Sequence, residues 1–286
     1  MANMHRFPGR APDPAANSPT SVPEPVVGLV ARDRFIIWGA LIAITALAWV
    51  YLFYLDRQMS PAMEQATAMT GMDTLMEKPW NITDAFIAFA MWSVMMTGMM
   101  VPAATPVMLV FAGAHARRDG RRIPLTVLFF GLGYITVWIG FSSCAALAQW
   151  ALHHAASPLA ATIVPSAQGA QISGAILIAV GVYQLTPFKH ACLRHCQSPL
   201  GFLMTHWRSG KRGAWYMGMR HGAYCLGCCW ALMGVLFVVG VMNLVWVAAL
   251  TLLVLLEKLG PAGTIVARAA GVVMIVTGIL YFSGLP

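Results

Sequence analysis

The sequence predicts an all-α protein, a polytopic bundle of about seven membrane-spanning helices, with six to seven spans as the range. The chain is 59% hydrophobic and only 10% charged, whereas a soluble domain carries about 25% charged residues. Its apolar residues fall in runs long enough to cross a bilayer. The net charge of +8 lies between these runs. This distribution indicates a lipid bilayer, and not nucleic acid, as the surrounding partner.

The chain divides into a tail and a membrane domain. Residues 1–33 are rich in Pro, Ala and Arg and contain no short apolar core, which predicts a disordered tail and no cleavable signal peptide. Residues 34–286 form the multi-pass domain. Its expected spans are about Phe35–Leu55, a run that starts near Ile82, Ile123–Ala151, Gln168–Thr186, Gly222–Val241, Leu244–Leu256 and Thr264–Phe282.

Several span ends are set by single residues. Pro102 and Pro106 are expected to kink the second span or to split it into two half-helices. Residues 222–258 are compatible with two spans or with one interrupted hairpin. Glu257 and Lys258 follow the sixth apolar run and are expected to act as interfacial anchors at its end.

Basic residues give the orientation. With the N-terminus in the cytoplasm, all of the 18 Lys and Arg residues except Arg57 and Lys78 lie in or near segments expected on the inside. The sequence therefore predicts an inner-membrane protein with a cytoplasmic tail. It also places a Cys/His-rich loop, residues 187–229, on the cytoplasmic side. Because the cytoplasm is reducing, its thiols are expected to be free.

This Cys/His-rich loop carries the strongest chemical signal. At about 100° per residue, a helix places one histidine and three cysteines within an arc of roughly 100°. Two further cysteines stand at i and i+4 upstream. The candidate ligands are Cys192, Cys196, Cys225, Cys228 and Cys229, with His195 and His221 as extra ligands.

Soft ligands narrow the choice of metal. Thiolates select Cu(I), Zn(II) or iron–sulfur clusters. The C-x3-C pair at Cys192 and Cys196 and the C-x2-C pair at Cys225 and Cys228 loosely match the paired spacing of zinc sites. If they form one site, a cysteine of the first pair must lie close to a cysteine of the second.

A methionine row adds a second candidate. Met91, Met95 and Met99 fall on one face of the second span, together with Asp84. Thioethers bind Cu(I), so this row is a candidate copper route, although methionine also fills irregular cores. Asp84 is either a functional carboxylate within the membrane or an acid near the helix N-terminus.

Motifs of known enzymes do not occur in the sequence. It has no phosphate-binding loop, no nucleophile elbow and no H-E-x-x-H. The chain therefore offers no complete active site, and a binding function is favoured over an enzymatic one.

Five segments together resemble a bacterial family of predicted metal-binding integral membrane proteins, a domain of unknown function. The segments are FKHACLRHC (Phe188–Cys196), HGAYCLGCCWALM (His221–Met233), GVMN (Gly240–Asn243), LLEKLGP (Leu255–Pro261) and the Met-rich MWSVMMTGMMVPAATP (Met91–Pro106). The resemblance covers about residues 80–285. It implies a multi-pass inner-membrane protein with a metal site, without a known metal or reaction.

Three hypotheses of function stay open. The first is metal handling or transport, with Cu(I) or Zn bound by the cysteines. The second is a thiol–disulfide redox relay that uses Cys225 and Cys228. The third is a structural zinc site in an assembly protein. Haem ligation by His221 or His190 is a further possibility.

Overall fold

The computed structural model describes residues 31–69, 81–119, 123–163, 167–240 and 243–283. These residues form helices and contain no strand, which confirms the all-α class. Nearly all of the expected disordered tail, residues 1–30, lies outside them. The described helices are α1 (Ala31–Met69), α2 (Ile82–Asp119), α3 (Ile123–Ile163), α4 (Ala167–Leu185), α5 (Pro187–Gln197), α6 (Pro199–His206), α7 (Gly210–Gly234), α8 (Leu236–Val239), α9 (Leu244–Leu259) and α10 (Gly263–Phe282).

Five stretches of the described helices are long and apolar enough to cross a membrane. They are Arg32–Gln58, Ile82–Arg118, Ile123–Ala151, Gly210–Val238 and Gly263–Phe282. The helices α4 and α5 meet at a bend of 61° and count as a sixth if they form one broken span. The expected number of seven is therefore approximate, because α9 has only 16 residues.

The helix α2 runs without interruption through Pro102 and Pro106, so the expectation of two half-helices is wrong. Each proline removes one backbone donor. Thr105 Oγ1 donates to the carbonyl oxygen of Val101 at 3.1 Å and supplies a side-chain bond in this region. The preceding helix α1 extends to Met69, so the segment expected as a polar loop after residue 55 begins as helix.

The stretch expected as a long loop after residue 186 forms two short helices, α5 and α6, before α7 begins. Thr186 caps α5, because its Oγ1 accepts a hydrogen bond from the backbone N–H of Lys189 at 3.3 Å. Pro187 follows at the first helical position, where its missing N–H costs nothing. The cap and the proline together set the bend after α4.

The helix α7 lies close against α3. A Cβ at Gly218 would collide with the backbone carbonyl group of Phe130, so glycine is required for the two backbones to approach. Small residues permit such close packing between apolar helices. This contact fixes α7, which carries three of the cysteines, against the centre of the bundle.

The helices α7 and α9 are separate. After α7 the chain forms the short α8 and reaches Gly240, whose φ of 96° favours glycine. Asn243 then caps α9, since its Oδ1 accepts from the backbone N–H groups of Val245 and Trp246 at 3.2 and 3.3 Å. The described part of residues 222–258 thus contains two long helices, and only the first belongs to a stretch that is long and apolar enough to cross a membrane.

The outer faces of the bundle are apolar. Phe35 and Leu47 on α1 are each 70% exposed, and Val245 on α9 is 76% exposed. Exposed apolar helix faces of this kind are compatible with contact to lipid. The charged side chains of Lys189, Glu257 and Lys258, in contrast, lie inside.

Candidate metal centre

Five cysteines on two helices meet where α5 packs against α7. Cys192 and Cys196 lie on α5, and Cys225, Cys228 and Cys229 lie on α7. The thiol of Cys196 lies close enough to that of Cys228, across the helix interface, for the two to interact. A cysteine of the first pair is thus a neighbour of a cysteine of the second, and whether the two pairs share one metal stays a prediction. Ligation of a metal by these cysteines stays a prediction.

Cys192 lies nearer to the surface than the cysteines of α7. Its Sγ lies 3.0 Å from the position that a Cβ of residue 227 would occupy, so the absence of a side chain at Gly227 makes room for this thiol. Cys192 is half-buried, whereas the cysteines of α7 are at most 1% exposed. Cys192 therefore stands at the rim of the thiol cluster.

The three thiols of α7 contact one another, as the helical projection predicts. The Sγ atoms of Cys228 and Cys229 both donate to the carbonyl oxygen of Cys225, at 3.1 and 2.9 Å. The three thiols are close enough to interact with one another. The cluster is thus a compact group of free thiols inside the bundle.

A buried ammonium group faces this cluster. The Nζ of Lys258 lies 2.9 Å from the Sγ of Cys225 and 3.9 Å from that of Cys229. A positive charge beside a thiol stabilises the thiolate, which is the form that binds metal. Lys258 is 6% exposed, so its expected role as an interfacial anchor is wrong. The helix α9 turns this side chain inward against α7.

The neighbouring Glu257 is also buried, and its expected role as an interfacial anchor is likewise wrong. Its Oε2 accepts from the Nζ of Lys189 at 2.8 Å, and its Oε1 accepts from the Nε2 of Gln184 at 3.0 Å. Lys189 also donates to the Oε1 of Gln184. The Nε2 of Gln197 donates to the backbone carbonyl oxygen of Glu257 at 2.7 Å. This polar network ties the end of α9 to α4 and α5.

Tyr134 on α3 connects the thiol cluster to the Met-rich helix. Its hydroxyl oxygen lies 2.9 Å from the Sγ of Cys225. The hydroxyl group also donates a hydrogen bond to the carbonyl oxygen of Met100 at 3.1 Å. Tyr134 is only 1% exposed. The hydroxyl group therefore joins α2, α3 and α7 at the inner edge of the cluster.

His221 lies inside the bundle, one helical turn before Cys225. Its imidazole ring packs against the rings of Tyr134 and Phe202, with centroid distances of 5.9 and 5.3 Å. The ring is 3% exposed, and its Nδ1 has no hydrogen-bond partner among the described residues. A buried nitrogen without a partner is costly, which makes His221 a candidate for an additional ligand.

His195 is placed differently. Its ring is exposed and stacks on Tyr224 with a centroid distance of 4.4 Å. Its Nδ1 lies 2.9 Å from the carbonyl oxygen of Ala191. These contacts hold the ring of His195 on the outside of α5, although the adjacent Cys196 reaches the thiol cluster.

The methionine row of α2 lies in the core. Met91, Met95 and Met99 are 8%, 1% and 0% exposed. Asp84 stands about two turns before Met91, and its Oδ2 accepts from the backbone N–H of Asn81 at 2.8 Å. Of the two roles considered for Asp84, this contact matches that of an acid at the helix N-terminus.

No group of three or more His, Cys, Asp or Glu side chains in the described ranges is arranged to hold a metal ion. A four-ligand site that spans both cysteine pairs is therefore not formed in this arrangement. The donor chemistry nevertheless fits a soft ion. Thiols from two helices touch each other, and an ammonium group stands beside them.

The described helices form a bundle that encloses a cluster of free thiols, whose donor chemistry suits a soft metal ion. Comparison with known families places the chain in one of them. The chain belongs to the copper chaperone family PpoB2, whose family model matches residues 89–281. The match includes all three methionines of the row and all five clustered cysteines. Neither the curated proteins nor the solved structures give a match.

Proposed function

We propose that this protein is an integral membrane protein that binds Cu(I) through the thiols of Cys196, Cys225, Cys228 and Cys229 and passes it on. The observation that carries this proposal is the contact between Cys196 and Cys228. It joins the half-buried thiol of Cys196 on α5 to the buried thiol of Cys228 on α7, in a cluster that contacts the ammonium group of Lys258. Membership of a copper chaperone family supports copper as the ion.

The geometry favours Cu(I) over Zn(II). A structural zinc ion takes four ligands in a tetrahedron, and even a three-ligand group is not formed among the described residues. Cu(I) is softer and accepts as few as two thiolates. The touching thiols of Cys196 and Cys228, or of Cys225 and Cys229, match that requirement.

The remaining predicted ligands take supporting roles in this proposal. Cys192, half-buried at the rim, is suited to receive the ion before it reaches the buried thiols. His221 offers a nitrogen without a partner one helical turn from Cys225. His195 is omitted from the set, because its ring stacks on Tyr224.

The methionine row is proposed as the route of Cu(I) through the bundle. Met91, Met95 and Met99 line the buried face of α2 with thioethers, which bind Cu(I) well. The hydroxyl group of Tyr134 links the Met100 backbone to Cys225. This link supports a route that ends at the thiol cluster.

The proposed location is the inner membrane, with the N-terminus in the cytoplasm. Five apolar helices support membrane insertion. Lys211 and Arg212 at the start of α7 are exposed, and basic residues favour the cytoplasmic side. The thiol cluster would then open toward the cytoplasm through Cys192.

Elemental mass spectrometry of the detergent-purified chain tests this proposal. We expect stoichiometric copper after anaerobic reconstitution with Cu(I), and its loss in a Cys225→Ser/Cys228→Ser double variant. Cys144→Ser is the matched control, because Cys144 is exposed on α3 and lies outside the cluster. Copper that is retained in the double variant would contradict the proposal.

The contact between Cys196 and Cys228 also supports the redox relay as a second candidate. Cys225 and Cys228 were the expected exchanging pair, but each of them contacts a different thiol more directly. A relay would therefore use Cys196 and Cys228. Absence of bound copper, together with a reversible Cys196–Cys228 disulfide trapped by alkylation, would favour the relay.

A further inference from the structure

The charged side chains around the thiol cluster are Lys189 and Glu257 and, on the next residue of α9, Lys258. The first two form an ion pair at 2.8 Å with side-chain exposures of 0% and 1%. Their charges cancel. Lys258 has no carboxylate partner among the described residues, and its Nζ faces the thiols of Cys225 and Cys229.

A buried charge without a partner is costly, so the core must supply a negative charge close to Lys258. The groups within its reach are the thiols and, through Cys225, the hydroxyl group of Tyr134. The groups that face the ammonium group of Lys258 are therefore the same thiols that the proposed function assigns to the bound ion.

The same charge balance extends to a bound ion. A monovalent cation held by two thiolates forms a unit with one negative charge, which Lys258 neutralises. A divalent cation held by two thiolates is already neutral, and Lys258 then adds an unbalanced positive charge. In an apolar core this difference acts with little screening.

We infer that Lys258 is a positioning residue that sets the charge selectivity of the thiol centre, favouring a monovalent soft cation over a divalent one. This inference rests on the proposed binding of Cu(I) by the cysteines. The position of Lys258 is fixed through its neighbour Glu257, whose carboxylate is held by Lys189 and Gln184. The end of α9 is thereby clamped so that Lys258 points to α7.

The test measures two affinities on the same full-length protein in detergent, under anaerobic reducing conditions. Cu(I) affinity is obtained by competition with a chromophoric Cu(I) chelator, and Zn(II) affinity with a zinc chelator. For Lys258→Met we expect Cu(I) affinity to fall on the order of a hundredfold. Its Zn(II) affinity is expected to be unchanged or higher, and Lys258→Arg should keep the parental ratio. Lys258→Gln replaces Lys258→Met if that variant does not fold.

The results of these affinity measurements distinguish the role of Lys258 from the proposed function. A neutral variant that loses both affinities equally, or that keeps its Cu(I) affinity, overturns the role of Lys258 and leaves the proposed function intact. A parent protein that does not bind Cu(I), or a Cys225→Ser/Cys228→Ser variant that still binds it, overturns the proposed function and this inference with it.

Discussion

Two lysines, one on α5 and one on α9, are buried in the core and contact different partners. Lys189 donates to the carboxylate of Glu257 at 2.8 Å, inside a network with Gln184. Lys258, the next residue after Glu257, faces the thiol of Cys225 at 2.9 Å. One ammonium group therefore has a permanently charged partner, whereas the other faces groups that can be neutral.

This difference separates a structural role from a functional one. The Lys189–Glu257 pair is complete without a ligand, and it joins α5 to α9. Lys258 has no carboxylate beside it and faces thiols, so its charge is not cancelled inside the fold in the way that the charge of Lys189 is. Such a residue is better explained by the ion that the thiols bind. The variants below test this separation in copper-free protein.

Glu257→Gln is expected to have the largest effect. The amide keeps the shape of the side chain but leaves the ammonium group of Lys189 buried without a counter-charge. Loss of one partner of a buried pair costs about 3–5 kcal/mol of the free energy of unfolding. Thermal unfolding in detergent, followed by circular dichroism, measures it. A melting temperature equal to that of the parent would show that the pair does not stabilise the fold.

Lys258→Met is expected to cost less, about 1–2 kcal/mol, because the thiols around it can take up protons and become neutral. The same unfolding measurement applies. Lys211→Met is the control for loss of a lysine at an exposed site. If Lys258→Met were as damaging as Glu257→Gln, the proposed division between the two lysines would be lost.

Tyr134→Phe removes one hydroxyl group and keeps the aromatic ring in place. It deletes the bonds to the carbonyl oxygen of Met100 and to the thiol of Cys225. A neutral hydrogen bond contributes about 0.5–1.5 kcal/mol, so we expect a loss of that size. A loss as large as that of Glu257→Gln would place Tyr134 in the ionic network instead of at its edge.

The sequence predicted the helical class and the convergence of the cysteines for physical reasons that are visible in one dimension. Long apolar runs require helices in a bilayer, because every backbone polar group must be paired. The spacing of Cys225, Cys228 and Cys229 places them on one face of a helix. That Cys196 approaches them was expected from shared chemistry, and the helices α5 and α7 provide the contact.

Neither of the two buried lysines was predicted to lie near the thiol cluster. Glu257 and Lys258 were assigned to a helix end because charges at the end of an apolar run usually reach the interface. Their burial depends on where α9 packs against α5 and α7, and sequence spacing does not contain that information. The sequence nevertheless contained a sign of this burial. Two adjacent opposite charges that directly follow an apolar run are costly in a membrane unless each has a partner inside the protein.

The double variant Lys189→Met/Glu257→Gln is expected to have the smallest effect of all. It removes the positive charge that Glu257→Gln alone would leave unpaired, and methionine fills a space similar to that of the lysine stem. Replacement of a whole buried pair is often neutral, so the protein should lie within about 1 kcal/mol of the parent. Together with Glu257→Gln and the single variant Lys189→Met it completes a double-mutant cycle.

The cycle also bears on copper. Because Gln197 still donates to the backbone carbonyl oxygen of residue 257 and so holds the end of α9 in the double variant, this variant should keep the Cu(I) affinity of the parent, while Lys258→Met should not. A double variant that is stable but no longer binds Cu(I) would assign the Lys189–Glu257 pair to the metal centre itself. The two lysines would then form one functional unit, and the contrast between them would be wrong.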